Sequence, residues 1–432
     1  MNRDFIKFAE SRFAYILFAI LVRVQLEYGY VNFVAPLFGY AGFVLDFSST
    51  KYVESWAIYL FAIFLAPRIL VRPSDYLMTF LIVGLLLPVL VIYALANKSR
   101  LHFYIFVFGC LLVEVFRRGR LFRLPVVHEG QKICVAMLIS VVLIVTGWYI
   151  ASGGLGYFNL DLSKVYDLRD DVAEVTNVGL MAYINGWAPK VAGPALLAYF
   201  LWKKKNLLAI AVVFLHVLWF GVSAHKSVLF YPFLILFLWF WFQKTRALSF
   251  VYFGVFSVLS VGLVLYFWKG DILISSLFMR RVFFVVGDLV FQYYDFFSDN
   301  ERVYWSNSVL SSVFRYPYHV TPAVLIGEAA GTEANANATF LATGYMHAGF
   351  GGVVLYGILA GLLFRVIDSV SARGLPIWVS VSVIIVSARS LILSADLPTA
   401  MLTHGVGFAI LILFLMRVSS RPATRGNEIS AH

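Results

Sequence analysis

Residues 76–96 read YLMTFLIVGLLLPVLVIYALA, twenty-one positions without a charged side chain. At 1.5 Å rise per residue a helix of that length covers about 30 Å, the hydrocarbon thickness of a bilayer. A soluble surface helix would show a polar face, whereas this run offers only Thr79 and two tyrosines. Its apolar character is continuous, not alternating, which excludes a strand of a transmembrane barrel. Comparable runs occupy about 13–35, 53–71, 101–116, 133–151, 186–202, 206–222, 227–243, 247–268, 345–364, 376–395 and 399–417. Composition agrees, with 61% apolar and 13% charged residues, where soluble domains run nearer half and a quarter. The expectation is an all-α, polytopic helical membrane protein of about 12 spans, a single integral membrane domain over 1–432.

The net charge of +11 does not point to nucleic acid. Such a patch needs a soluble face, and no soluble domain is visible. Instead the basic residues cluster between apolar runs. With the amino terminus inside, the inner segments hold Arg3, Lys7, Arg12; Arg68, Arg72; Arg117, Arg118, Arg120, Arg123, Lys132; Lys203, Lys204, Lys205; Lys244, Arg246; Arg365, Arg373; and Arg417, Arg421, Arg425. Twenty of the 34 basic residues thus fall on one side, as the positive-inside rule requires. Lys98 and Arg100 are the main exception. Both termini are then cytoplasmic, with 418–432 a cytoplasmic tail. The start, MNRDFIKFAESRF, lacks a small-residue cleavage site and reads as an uncleaved first span. Cys110 and Cys134 sit in apolar runs and suggest neither a disulfide framework nor a thiolate zinc site.

Two long segments face outward, 152–185 and 269–344, both beyond ordinary connection length. In the first, YDLRDD (166–171) places Arg169 among carboxylates beside Tyr166. It reads either as a solvated, paired arginine or as a guanidinium kept for a phosphate, which its planar fork grips bidentately. The second begins SSLFMRRVFFVVGDLVFQYYDFF, with Arg281, Asp288 and Asp295 seven apart on one helical face. A helix lying in the interface, or dipping into a cavity, suits it better than a spanning one. Arg280 and Arg281 then either snorkel to headgroups or grip a lipid-linked anion. FRYPYHV adds Arg315, Tyr316, Tyr318 and His319 around a proline corner. Lys226 lies in the short outer turn HKS, where a membrane-end lysine ordinarily snorkels.

The second segment closes on ANANATFLATGYMHAGFGG, 334–352. Asn335, Asn337, Thr339, Tyr345 and His347 offer donors and acceptors suited to sugar hydroxyls, while Gly357 and Gly361 form a small-xxx-small packing face. His225, His319 and His347 are the outer-face candidates for general-base work. They make no metal-ligand spacing, so no metal or other cofactor is expected. Arg23, Glu114, Arg389 and Asp396 are ionisable groups in or near spans, which usually face a bundle interior or a water-filled cavity.

About twelve spans, unequal outer segments with YDLRDD in the first, and an Arg–aromatic–Tyr-Asp-Phe-Phe run leading the second resemble the Wzy-type O-antigen polymerases. The stretch IGEAAGTEANANATFLATGYMHAGFGG is similar to the end of their second loop. Some members space an arginine and a glycine by ten residues in each loop; here Arg169 reaches Gly179 after nine and Arg315 reaches Gly327 after eleven. The resemblance implies a GT-C-like, metal-independent glycosyltransferase of the bacterial inner membrane with two large periplasmic loops. It would move a growing glycan from undecaprenyl diphosphate to the next lipid-linked repeat unit, beside a chain-length-regulating co-polymerase. Arg169, with Arg280, Arg281 or Arg315, would hold diphosphate; His319 or a nearby acid would assist the acceptor. Lys226, Tyr166, Asn335, Asn337, Tyr345 and His347 would line the substrate site. An O-antigen ligase, a flippase or transporter, and a non-catalytic scaffold stay open as alternatives; the lack of an internal repeat counts against transport.

Overall fold

A computed structural model of the chain describes residues 3–417, apart from 162–164, 334 and 373 and the side chains of 165–170. The 418–432 tail therefore lies outside the described residues. The described chain is helical throughout, about 76% helix with no strands. Seven helices among the described residues are long and apolar enough to cross a membrane, among them Arg12–Ala41, Pro73–Leu95, Phe340–Ser371 and Ile377–Ser394. Lys226–Phe242 and Val406–Leu415 are shorter apolar helices. This is a multi-pass helical membrane protein.

The decisive run forms the Pro73–Leu95 helix, almost wholly buried at the bundle centre. Pro88 would clash with the carbonyl four residues back, and the wide turn Ile82–Leu86 just before it absorbs the strain. Gly357 and Gly361 bring the 340–371 helix against the Arg100–Arg117 helix. A methyl group at Gly357 would sit 2.9 Å from the Gly109 carbonyl, and one at Gly361 2.8 Å from that of Val113. Only backbone fits there.

Two departures from the expected spans shape the outer end. The run at 399–417 is not one helix. Leu397–Leu402 stops, and Val406–Leu415 restarts beyond Gly405 at φ +80°. In the second outer segment, residues 272–299 form one continuous helical stretch. It crosses the bundle laterally, with Ser275 bonded to the Gly262 carbonyl, Met279 against Gly29, Phe284 on Tyr30 and Gly287 on Pro88. Each partner lies in the half of its helix away from the basic clusters, so this helix dips into the bundle and does not traverse it. It also supplies a partner to one of the two cations that stand outside the basic clusters. Lys98 pairs with Asp288 at 2.7 Å and Arg100 with Glu54 at 2.8 Å. A neutralised cation carries little topological weight.

Candidate functional site

The glycine-rich stretch that ends the second segment is a break in a helix. At Ala348 (φ −147°) and Gly349 (φ +59°) the 340–371 helix interrupts its ladder. Residues 303–305 dock there: Val303 N–H donates to the Met346 carbonyl (3.1 Å) and Tyr304 N–H to that of His347 (3.2 Å). Helix halves folded this tightly leave no room for side chains, since a methyl at Gly352 would come within 1.8 Å of the Gly344 oxygen. Thus the glycines serve backbone approach, not a ligand.

His347 locks the joint. Trp305 stacks on its ring, 4.8 Å between centroids at 15°. The Trp305 N–H donates to Nδ1 at 3.0 Å, which leaves the proton on Nε2, facing Asp396 at 3.2 Å. Tyr356 donates to the other Asp396 oxygen at 2.8 Å and accepts from the Trp305 indole at 2.7 Å. Burial alone would raise the Asp396 carboxyl, but hydrogen bonds from His347 and Tyr356 outweigh it and hold the group below the usual carboxylate range. Both imidazole nitrogens are engaged and the ring is fully buried, so His347 acts as a clamp with no nitrogen to offer a substrate. Tyr345 is likewise buried, stacked on Tyr294 at 4.2 Å with Arg302 over its outer face.

Beside this joint lies a cavity of two compartments, about 480 and 220 Å³, which share Asn337, Ser394 and His404. Both outer segments wall it: Val172, Ala173, Thr176 and Asn177 from the first, Asn337 from the second. Two cations face it. Lys190 comes from a wide helical turn, Ala188–Ala192, beside Pro189; Arg389 projects from the Ile377–Ser394 helix near its outer end. Lys190 donates to His404 Nδ1 at 2.5 Å. The histidine reaches the cavity because the backbone breaks at Gly405, where a side chain would meet Val191 and Trp187. Irregular backbone at membrane depth is tolerated where it lines such a cavity. Arg389 makes no hydrogen bond or ion pair among the described residues. Among the described residues the only carboxylate lining either compartment is Asp396, already held by His347 and Tyr356. Asn185 Oδ1 and Ser223 Oγ, on the same wall, are buried without a partner among the described residues.

This cavity recruits part of the sequence-based site. Asn337 lines it, as do His225 and Ser227 on either side of Lys226, while Lys226 itself does not. Asn335 is exposed and gives its carbonyl to the Asn337 N–H (3.0 Å). Arg315 and His319 are exposed in a separate recess with Glu301, Tyr316 and Tyr318. Arg280 bonds Ser276 at 3.1 Å and lies over Phe38; neither it nor Arg281 lines the cavity. The side chains of Tyr166 and Arg169 are outside the described residues. Lys190 and His404 were not foreseen, although an ionisable residue inside an apolar run was the signal for both. No protein-family model, curated protein or solved structure matches the chain.

Proposed function

We propose that the chain is a polysaccharide repeat-unit polymerase of about twelve spans and GT-C-like architecture. It would transfer a growing glycan from undecaprenyl diphosphate to the next lipid-linked repeat unit at the end opposite the basic clusters. The observation that carries this reading is the cavity walled by both outer segments, with Lys190 and Arg389 facing it and no uncommitted carboxylate among the described residues. A diphosphate leaves readily once its charge is balanced, and a low-dielectric pocket strengthens that balance.

In the reaction, an acceptor sugar hydroxyl bonds to the anomeric carbon, and the bond from that carbon to the diphosphate oxygen breaks. Arg389 and Lys190 take up the charge on the departing diphosphate. Arg169, in YDLRDD of the first outer segment, is the further guanidinium proposed for the same anion. Of the three histidines weighed as bases, His225 is the one that lines the cavity, and it would receive the acceptor's proton. Asn337, Asn185 Oδ1 and Ser223 Oγ suit sugar hydroxyls.

The test is Arg389→Ala in a deletion strain of the source bacterium, read on its lipopolysaccharide ladder. Insertion should be normal and glycan should stop at core plus one repeat. A ladder of normal length removes the cavity from the reaction. Loss of even the single repeat indicates a ligase, and repeat units held in the cytoplasmic leaflet indicate a flippase.

A further inference from the structure

At the opposite end, a second cavity of about 870 Å³ opens where three basic turns meet. Lys204, Lys244 and Arg246 stand at it, and Trp202, Trp239 and Trp378 wall it. Among the described residues the one acid lining it, Glu10, is already hydrogen-bonded: its Oε1 accepts from the Thr245 hydroxyl (2.8 Å) and the Arg246 N–H (3.3 Å). The 243–248 turn is pinned to the neighbouring connection by Leu70 N–H to the Arg246 carbonyl (2.7 Å) and Leu248 N–H to that of Arg68 (2.9 Å). The site is therefore built, not a chance gathering of lysines. Lys204 itself holds φ +56°, a left-handed conformation in which asparagine or glycine is at ease and lysine is not. That conformation closes the Gly193–Trp202 helix, where the Lys205 N–H donates to the Phe200 carbonyl (2.8 Å), and it fixes the turn that carries Lys204 to the cavity.

From this geometry we infer that the basic-end cavity binds the phosphate headgroup of an acidic phospholipid. The single negative charge of a phosphodiester can be shared among these three cations, and the indole wall suits the glycerol and first acyl carbons that follow it. A small soluble anion would use the cations but leave three tryptophans without purpose. Basic pockets between helices on the positively charged side of a membrane protein are where such headgroups bind. The site is separate from the proposed transfer cavity, so its failure and that of the proposed reaction are distinguishable.

The experiment uses the full chain in detergent, titrated with phosphatidylglycerol or phosphatidylethanolamine and read by native mass spectrometry. Quenching of indole fluorescence by brominated-chain phosphatidylglycerol gives a second reading. Each basic residue near an anionic lipid contributes roughly five-fold in affinity. Lys204→Asn/Lys244→Gln should thus weaken phosphatidylglycerol binding roughly thirty-fold and abolish quenching, with the 204 turn relaxed. Lys132→Gln/Lys269→Gln, the same charge change elsewhere, should leave both readings intact. Equal loss in the two double variants, or no preference for phosphatidylglycerol over phosphatidylethanolamine, overturns the inference. Displacement of the lipid by millimolar inorganic phosphate overturns it too, because the ligand would then be a soluble anion.

Discussion

Replacing Asp396 by Asn isolates the clamp at the outer joint. The carboxylate accepts from His347 Nε2 (3.2 Å) and Tyr356 Oη (2.8 Å), with its side chain 11% exposed. An amide keeps one acceptor oxygen, so one of those two donors must face an N–H. A lost hydrogen bond to a charged group plus a stranded donor costs about 3 kcal/mol. Melting points of large domains move roughly 2–4 °C per kcal/mol, so the midpoint should fall by roughly 6–12 °C. Cys110 and Cys134 are both buried, and a thiol-reactive fluorophore will report the unfolding. His347→Gln should cost a similar amount, and the double variant less than the sum, because both break one network. The pH dependence has a definite sign. The Asp396 pKa is depressed by folding, so its contribution is complete above the unfolded carboxylate value near 4 and disappears as pH falls through the lower folded value. Wild type and Asp396→Asn should therefore differ by a constant amount above about pH 5 and converge only in stronger acid. An Asp396→Asn midpoint within a degree of wild type would refute the clamp.

Gly352→Ala should destabilise by about 1–3 kcal/mol in the same thermal assay, because the methyl meets the Gly344 carbonyl. Lys98→Met should cost about 3–5 kcal/mol by stranding Asp288, which is 3% exposed, and Lys98→Met/Asp288→Asn should recover most of it. Arg315→Ala and His319→Ala should leave glycan length unchanged on the lipopolysaccharide ladder, whereas His225→Ala should shorten it. Arg389→Met should stabilise the ligand-free protein by about 1 kcal/mol, a midpoint rise of roughly 2–4 °C, while abolishing chain extension, since a charge with no acid partner among the described residues leaves the bundle.

The bundle was legible because lipid imposes long uncharged runs, and a run such as 76–96 needs no tertiary information to read. Charge placement was legible for the same reason, down to its exception: Lys98 and Arg100 broke the rule, and the structure gives each a carboxylate. The site was only partly legible. Arg389, Asp396, Asn337 and His225 drew notice as polar groups at the outer end, and all line the cavity. Tyr345 and His347 drew the same notice, yet serve a helix break that exists only because residues 303–305, more than forty positions away, dock against it. No local pattern announces such a partner. Lys190 and His404 were hidden inside runs that read as ordinary spans, because a wide turn beside Pro189 and a backbone break at Gly405 arise from packing. Arg280, Arg281 and Arg315 are equally conspicuous in the sequence, and none of them lines the cavity.

What distinguishes the cavity is a contrast within one molecule. At several other buried positions the fold settles a cation with one of its own carboxylates. Fully buried Arg23 pairs with Glu27 at 2.9 Å, Arg117 with Asp75 at 3.0 Å and with Glu114, and His102 with Asp295 at 2.8 Å. Desolvation makes such pairing close to obligatory in an apolar surrounding. Around Lys190 and Arg389 the same bundle supplies a histidine and, among the described residues, no uncommitted acid. Two neighbouring cations that repel one another are a standing cost, and the chain evidently has the means to remove it. On the reading proposed above, an anion from outside completes the site, entering beside the segments that wall the cavity at the end away from the basic clusters.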